Sequence, residues 1–308
     1  MISDDRITDA SHSPLFAASS VVEAADSMNR TFVLTPSCRD MLQHLLVAVG
    51  LCGVGRLAPV AEGSMQTVFN YDAMLRQVPE WASSYANADP FGHIVLDSQA
   101  DDAALNAALE DFPSPEDGCW FDCTTDSRAV ERKQAVWDIR KIPPSICRIL
   151  FELNSGPFVE FLEALTGIAH LVPDPHFYGA GVHQILSSGR LEIHADHNLN
   201  LKLNLYRRVS VALYLNKDWQ DSYGGTLELW SADMKGPVQR IVPLFNRMVV
   251  FSNSETSFHG HPDPIAGPPG VTRKSLAAWY LSPEPHPSHL SVPHKAIFPR
   301  VADDAGAY

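Results

Sequence analysis

The side chains with the most chemical potential lie in one short run, Arg190-Leu191-Glu192-Ile193-His194-Ala195-Asp196-His197-Asn198. In an extended strand, side chains two positions apart point to the same face. His194 and Asp196 would therefore present an imidazole and a carboxylate side by side. A later run, Thr256-Ser257-Phe258-His259-Gly260-His261-Pro262, carries two more histidines with the same spacing. Either of them, returning across a β-scaffold, would complete a set of two imidazoles and one carboxylate. Such a set holds one face of a metal ion and leaves the other open, as non-haem Fe(II) oxygen chemistry requires. Farther on, Arg273 opens the strand-like Arg273-Lys274-Ser275-Leu276-Ala277-Ala278-Trp279. An arginine buried on a strand facing the metal would hold a dicarboxylate through paired charge-assisted hydrogen bonds. His-x-Asp alone is a weak signal in a chain with 13 histidines. Its place at a strand end, with later histidines and an arginine in a β-rich region, gives it weight.

These residues need a β-scaffold, and the pattern from Tyr178 onward supplies one. Short β-like runs cover 182–186, 190–194, 207–215, 225–230, 238–243, 247–252 and 273–281. Turn signals separate them at Ser187-Ser188-Gly189, Gly224-Gly225, Lys235-Gly236-Pro237 and Pro268-Pro269-Gly270. Many short strands at regular spacing predict a sandwich or barrel, and a double-stranded β-helix (jelly roll) is the natural form. Helical patterns precede it. Thr35 and Pro36 can start a helix whose face of Met41, Leu42, Leu45, Leu46 and Val49 ends at Gly50. Further helices are predicted over Tyr71–Val78, over Asp101 to Phe112, and over Ser145–Leu165 with a break near Gly156-Pro157. His93–Asp97 reads as a short strand, residues 113–128 as loop, and residues 1–30 as a loose tail or peripheral helix. The expected class is α+β, a jelly-roll core with flanking helices. The expected organisation is an N-terminal helical extension (1–89), a catalytic domain (90–285) and an irregular tail (286–308).

Composition narrows the function. The chain has 308 residues, 45% of them hydrophobic, and carries 23 Lys+Arg against 36 Asp+Glu, a formal charge of −13. That is ample for a large core and excludes a disordered or collagen-like chain. An acidic protein without a basic groove is a poor partner for nucleic acid. The most apolar stretch, Leu45 to Leu51, is far short of the ~20 residues of a membrane span. Met1–Arg6 is acidic with no apolar run behind it, so no secretory signal is expected. The five cysteines are an odd number in a chain too long to need staples, which points to reduced thiols and a cytoplasmic setting. Cys119 and Cys123 lack the second ligand pair of a structural zinc site.

The chain from about Phe91 to Pro283 resembles the prolyl-4-hydroxylase-like branch of the 2-oxoglutarate/Fe(II)-dependent dioxygenases. The resemblance rests on Tyr178–Asn198, Arg207–Asn216, Tyr223–Trp230, Phe258–Pro264 and Arg273–Trp279, in the family's order. It implies iron ligation by His194, Asp196 and His259, with His261 as a neighbour or loop residue. It implies that Arg273 binds the distal carboxylate of 2-oxoglutarate, with Ser275 and Tyr214 beside it. Gln184 falls near a tyrosine that often touches the cosubstrate in the family, a departure from its pattern. His183 and Asn198, flanking the predicted mouth, together with Trp279, and with Lys133 of the stretch before the barrel, are candidate substrate contacts. In related halogenases a small residue replaces the carboxylate ligand, so Asp196 favours hydroxylation.

The implied activity is Fe(II)-, 2-oxoglutarate- and O2-dependent hydroxylation of an unactivated C–H, releasing succinate and CO2, with ascorbate a candidate reductant. The expected substrate is a small metabolite, an amino acid or a carrier-bound molecule. The alternatives are a prolyl or other residue in a peptide or protein, or a non-oxidative metal-binding jelly roll such as an isomerase or sensor. Trp219, Trp230 and Gly224-Gly225 read as turn and core residues. Glu131-Arg132-Lys133 reads as a solvated face. The oligomeric state is not legible.

Overall fold

The structure is a computed structural model and describes residues 66–287 and 292–299. The expected helix from Pro36 to Gly50, the run Leu45 to Leu51, residues 1–30, Cys38 and Cys52 lie outside the described residues.

Helix α1 spans Tyr71–Ala86, where Asn70 caps the start by accepting from the Ala73 N–H at 3.0 Å. It runs through Pro79 and past the expected end at Val78. Asn87 closes it instead, its N–H and side-chain amide both donating to Ser83 O. Strand β1 (His93–Asp97) falls where expected. Helix α2 (Asp102–Glu110) is capped by the Asp101 carboxylate. The expected break near Gly156 separates α3 (Pro144–Leu153) from α4 (Gly156–Thr166), and α4 stops at Gly167 in the left-handed region. Ile146, Ile149, Leu150 and Leu153 share the inner face of α3, as the 3.6 period requires, and Phe158, Phe161, Leu162 and Leu165 that of α4. Trp81 of α1 meets Phe161 edge-on at 6.3 Å.

That helical layer packs against one face of an antiparallel sheet that closes into a jelly roll. The strand order is β1-β10-β7-β12-β5-β11-β8-β9. The strands are β5 (Gly181–His194), β7 (Leu205–Tyr214), β8 (Leu227–Trp230), β9 (Pro237–Ile241), β10 (Arg247–Ser252), β11 (His259–His261) and β12 (Arg273–Ser282). Tyr280 of β12 ties sheet to helices, its hydroxyl donating to Leu153 O at 2.6 Å and its ring stacked on Phe158.

Two sequence expectations give way. The runs 182–186 and 190–194 form one strand, β5, because Ser187-Ser188-Gly189 is held in it by Ile265, whose carbonyl and N–H pair with Ser188 and Gly189. The charged run Glu131-Arg132-Lys133 is not a solvated face. It belongs to strand β3 (Val130–Val136), which pairs with β5 so that Lys133 lies opposite Ile185. A register shift between Glu131 and Lys133, with Arg132 at φ 52, leaves Arg132 exposed. The short strands β2 (Phe121–Asp122), β4 (Val172–Pro173) and β6 (Leu199–Asn200), like β11, were not expected from the pattern.

Candidate metal centre and its cavity

His194 ends β5, and His259 of β11 lies directly opposite it. His261 lies opposite Leu191, so two steps along β11 span three along β5, and β5 carries one extra residue there. This bulge brings both Leu191 and His194 to the cavity, where strict alternation would put them on opposite faces. Gly260 sits against the bulge. A Cβ there would lie 2.7 Å from Glu192 O and 2.8 Å from Leu191 O.

The ligand atoms of His194, Asp196 and His259 lie within 4.8 Å of one another. It is the one such cluster among the described residues, and it excludes Cys119 and Cys123. Each histidine is oriented from behind. His194 Nδ1 lies 2.9 Å from Glu192 O and His259 Nδ1 lies 2.9 Å from Ser257 O. A carbonyl can only accept, so Nδ1 carries the proton and each Nε2 is left with a lone pair for a metal. Burial first, then the neighbouring His194, lowers the pKa of His259 to about 4, so it is a neutral ligand. Asp196 is ionised. Burial alone would raise its pKa, but the Arg207 guanidinium beside it holds it well below the usual carboxylate range. Two neutral imidazoles and one carboxylate fit a divalent iron with positions to spare.

Arg207 is the functional residue that the sequence reading left without a role. It is 1% exposed, and its Nη1 lies 2.9 Å from Asp196 Oδ2. Its Nη2 lies 2.6 Å from His197 Nε2, and its guanidinium sits 3.3 Å above the Trp279 ring. The signal was the Arg207-Arg208 pair near the start of a strand whose later residues are mostly apolar, since a buried arginine demands a partner.

The cavity below this cluster holds about 120 Å³. Arg273 lies in its wall, donating from Nε to Gly225 O at 2.6 Å and from Nη2 to the Tyr214 hydroxyl at 3.1 Å. Gly225 allows this approach, since at φ 64 a Cβ would meet the Arg273 Cδ at 2.9 Å. Ser275 pairs with Tyr214 across the β7–β12 ladder and also faces the cavity. His183, Lys133, His261 and Trp279 add to the polar and aromatic lining.

Two expected site residues stand elsewhere. Gln184 points away from the cavity, because its neighbours His183 and Ile185 take the inner positions of β5. Its amide donates to Gln134 Oε1 at 2.7 Å. Asn198 clamps the C-terminal segment, donating to Val292 O and accepting from the His294 N–H, both at 3.0 Å. That segment reaches the site. Ile297 exchanges backbone hydrogen bonds with Ala195, and the Phe298 ring stacks on His194 with centroids 5.1 Å apart. Trp219 and Trp230 make local turn contacts, to Gly224 O and Glu228.

The sequence profile of the 2OG-Fe(II) oxygenase superfamily matches residues 180–281, the span that holds every residue of the cluster and Arg273. A prolyl 3-hydroxylase, OGFOD1 of Mus musculus, is 32% identical over 81 residues, covering 25% of this chain and 14% of the relative. The Xenopus laevis counterpart is 35% identical over 78 residues and is covered to 15% of its length. The chain thus spans a small part of these curated relatives. Among solved structures, a prolyl hydroxylase from Trichoplax adhaerens, in complex with a peptide fragment of a hypoxia inducible factor oxygen degradation domain, superposes with a TM-score of 0.51. It has 17% sequence identity, over 71% of this chain and 94% of that one. The likeness is one of fold.

Proposed function

We propose that this chain is a 2OG-Fe(II) oxygenase that hydroxylates an unactivated C–H of a residue, prolyl foremost, in a peptide or protein. The observation that carries the oxygenase reading is the His194-Asp196-His259 cluster opening onto a cavity whose wall holds Arg273. A sensor or isomerase has no use for a buried arginine and serine behind an open metal face. In this reading His194, Asp196 and His259 hold iron, and Arg273, Ser275 and Tyr214 hold the distal carboxylate of 2-oxoglutarate. Iron and the keto acid supply the oxidising chemistry, in which O2 and 2-oxoglutarate are consumed, succinate and CO2 leave, and C–H becomes C–OH. Arg207 keeps Asp196 ionised and in place. Phe298, stacked on His194, shields that ligand, and Trp279 lines the cavity.

Two features favour a peptide over the small metabolite expected from sequence. The similarity to prolyl hydroxylases is one. The other is space: about 120 Å³ is below the ~300–1,000 Å³ of sites that enclose a whole drug-sized ligand. A substrate then inserts one side chain from outside. A groove of about 510 Å³ between Leu199–Lys202 and Pro293–Ala296 adjoins the mouth at His197 and offers room for the flanking chain.

The test adds Fe(II) and 2-oxoglutarate without oxygen, then prolyl peptides with oxygen. A weak visible charge-transfer band, absent in His194→Ala, is expected, followed by succinate release matched by hydroxylated peptide. No band would overturn the oxygenase reading. A band with matched turnover of free metabolites and of no peptide would overturn the peptide reading.

A further inference from the structure

The charges in the cavity leave one cation over. With iron and 2-oxoglutarate in place, the positive charges of the metal and Arg273 cancel the negative charges of Asp196 and the keto-acid dianion. Arg207 is faced by two acids, Asp196 and Asp174. Lys133 remains. It lines the cavity from β3 opposite Ile185. The groups that act on it are the Cys123 thiol, Asp196, Arg273 and Arg207, one thiol and one carboxylate against two guanidiniums. Burial, and then those arginines, lower its pKa, so the ammonium is held at a free-energy cost that a facing anion would offset. Among the described residues the Lys133 ammonium forms no hydrogen bond or ion pair. Beside it in the same wall, His261 is 2% exposed and its Nδ1 is buried without a partner. Two polar side chains with unused hydrogen-bonding capacity therefore share one side of the cavity. An inward lysine with no direct ion-pair partner fits a site completed by its ligand.

We propose that Lys133 is a specificity-determining residue, and that its ammonium, beside His261, binds a carboxylate carried by the substrate. This rests on the hydroxylase reading and narrows its substrate class to acids. The carboxylate can be an acidic side chain next to the target residue or the terminal carboxylate of the substrate itself.

The test measures binding to protein loaded with Mn(II) and 2-oxoglutarate, followed by water-proton relaxation and calorimetry. The probes are matched acid and amide pairs on three scaffolds: acetyl-Pro-Asp-amide against acetyl-Pro-Asn-amide, acetyl-proline against acetyl-prolinamide, and pentanoate against pentanamide. A charged hydrogen bond predicts about tenfold or greater preference for the acid in at least one pair. Lys133→Met should abolish that preference and Lys133→Arg should keep it, with 2-oxoglutarate affinity changed less than about twofold in both. Circular dichroism confirms that the variants are folded. An unchanged preference in Lys133→Met, no preference in any pair, or a tenfold loss of 2-oxoglutarate affinity would each overturn the proposal, the last by making Lys133 a cosubstrate ligand. The first two pairs separate a neighbouring acidic side chain from a terminal carboxylate. A preference confined to pentanoate, with no prolyl turnover, would support Lys133 and sink the peptide reading instead.

Discussion

Replacing Arg207 with methionine would keep the bulk of the side chain and remove its charge. The structure defines what is lost. The guanidinium makes a 2.9 Å contact to Asp196 Oδ2, a 2.6 Å contact to His197 Nε2 and a stack 3.3 Å above Trp279, in a residue 1% exposed. Removing one partner of a buried ion pair leaves the other desolvated, at about 3–5 kcal/mol. Asp196 retains some solvent contact, its side chain being 17% exposed, so the lower figure applies to the metal-free protein. The second effect falls on the metal. Groups that orient a ligand from behind are worth about 10–100-fold in metal affinity, and Arg207 is the group that fixes the free oxygen of Asp196. Mn(II) binding measured by electron paramagnetic resonance should weaken by that factor, and urea unfolding without metal should report about 3 kcal/mol of lost stability. Arg207→Lys should recover part of the stability but less of the metal affinity, since an ammonium lacks the fork that spans Asp196 and His197. Wild-type Mn(II) affinity in Arg207→Met, with stability within about 0.5 kcal/mol, would refute the reasoning.

Three other perturbations test separate parts of the site. Gly260→Ala places a methyl group against the Glu192 and Leu191 carbonyls and should cost about 1–3 kcal/mol while displacing His259; unfolding and metal titrations read both. Arg273→Ala should raise the 2-oxoglutarate requirement by about ten- to a hundredfold, while Mn(II) affinity without the keto acid changes little; equal losses would make Arg273 structural. His197 and His259 both have pKa values lowered to about 4, chiefly by burial. The unfolded chain therefore binds more protons than the native one between about pH 6.5 and 4, and metal-free stability should be full above that window and fall as pH drops through it. Denaturant unfolding at pH 7.5 and 5 checks this, and His197→Gln should flatten part of the slope.

The ligand set was legible because its signals are local. His194 and Asp196 stand two apart on a strand, and Arg273 and Ser275 repeat that spacing on β12, so strand geometry alone puts each pair on one face. The helices were legible from their apolar period and caps, down to the break before Gly156. What failed depends on contacts between distant segments. The bulge in β5 exists only in register with β11, and it reverses the parity that would have aimed Gln184 inward. β3 hid behind a charged triplet, because alternation marks a strand only where one face is apolar, and here the inward position is a lysine. Phe298 and Asn198 act through a segment that returns about a hundred residues after the first ligand, and no short-range pattern encodes that return.

The same contrast explains how the site is held. Its imidazoles come from strands paired in one ladder, His194 facing His259, and each is fixed by a carbonyl two residues before it. Their positions are therefore a property of the backbone. Asp196 lies just beyond the end of β5, one residue past the Ala195–Ile297 bridge, and its own backbone joins no ladder. A carboxylate there could turn to solvent or fold onto His194, whose Nε2 is 3.5 Å from its Oδ1. Arg207 resolves this by reaching from β7 to the opposite oxygen, and Trp279 of β12 and His197 fix Arg207 in turn. The order imposed on the one ligand outside the sheet thus comes from side chains rather than from hydrogen-bonded backbone. That makes the carboxylate the ligand most sensitive to substitution, and it couples Asp196 through Arg207 to the indole of Trp279 in the cavity wall.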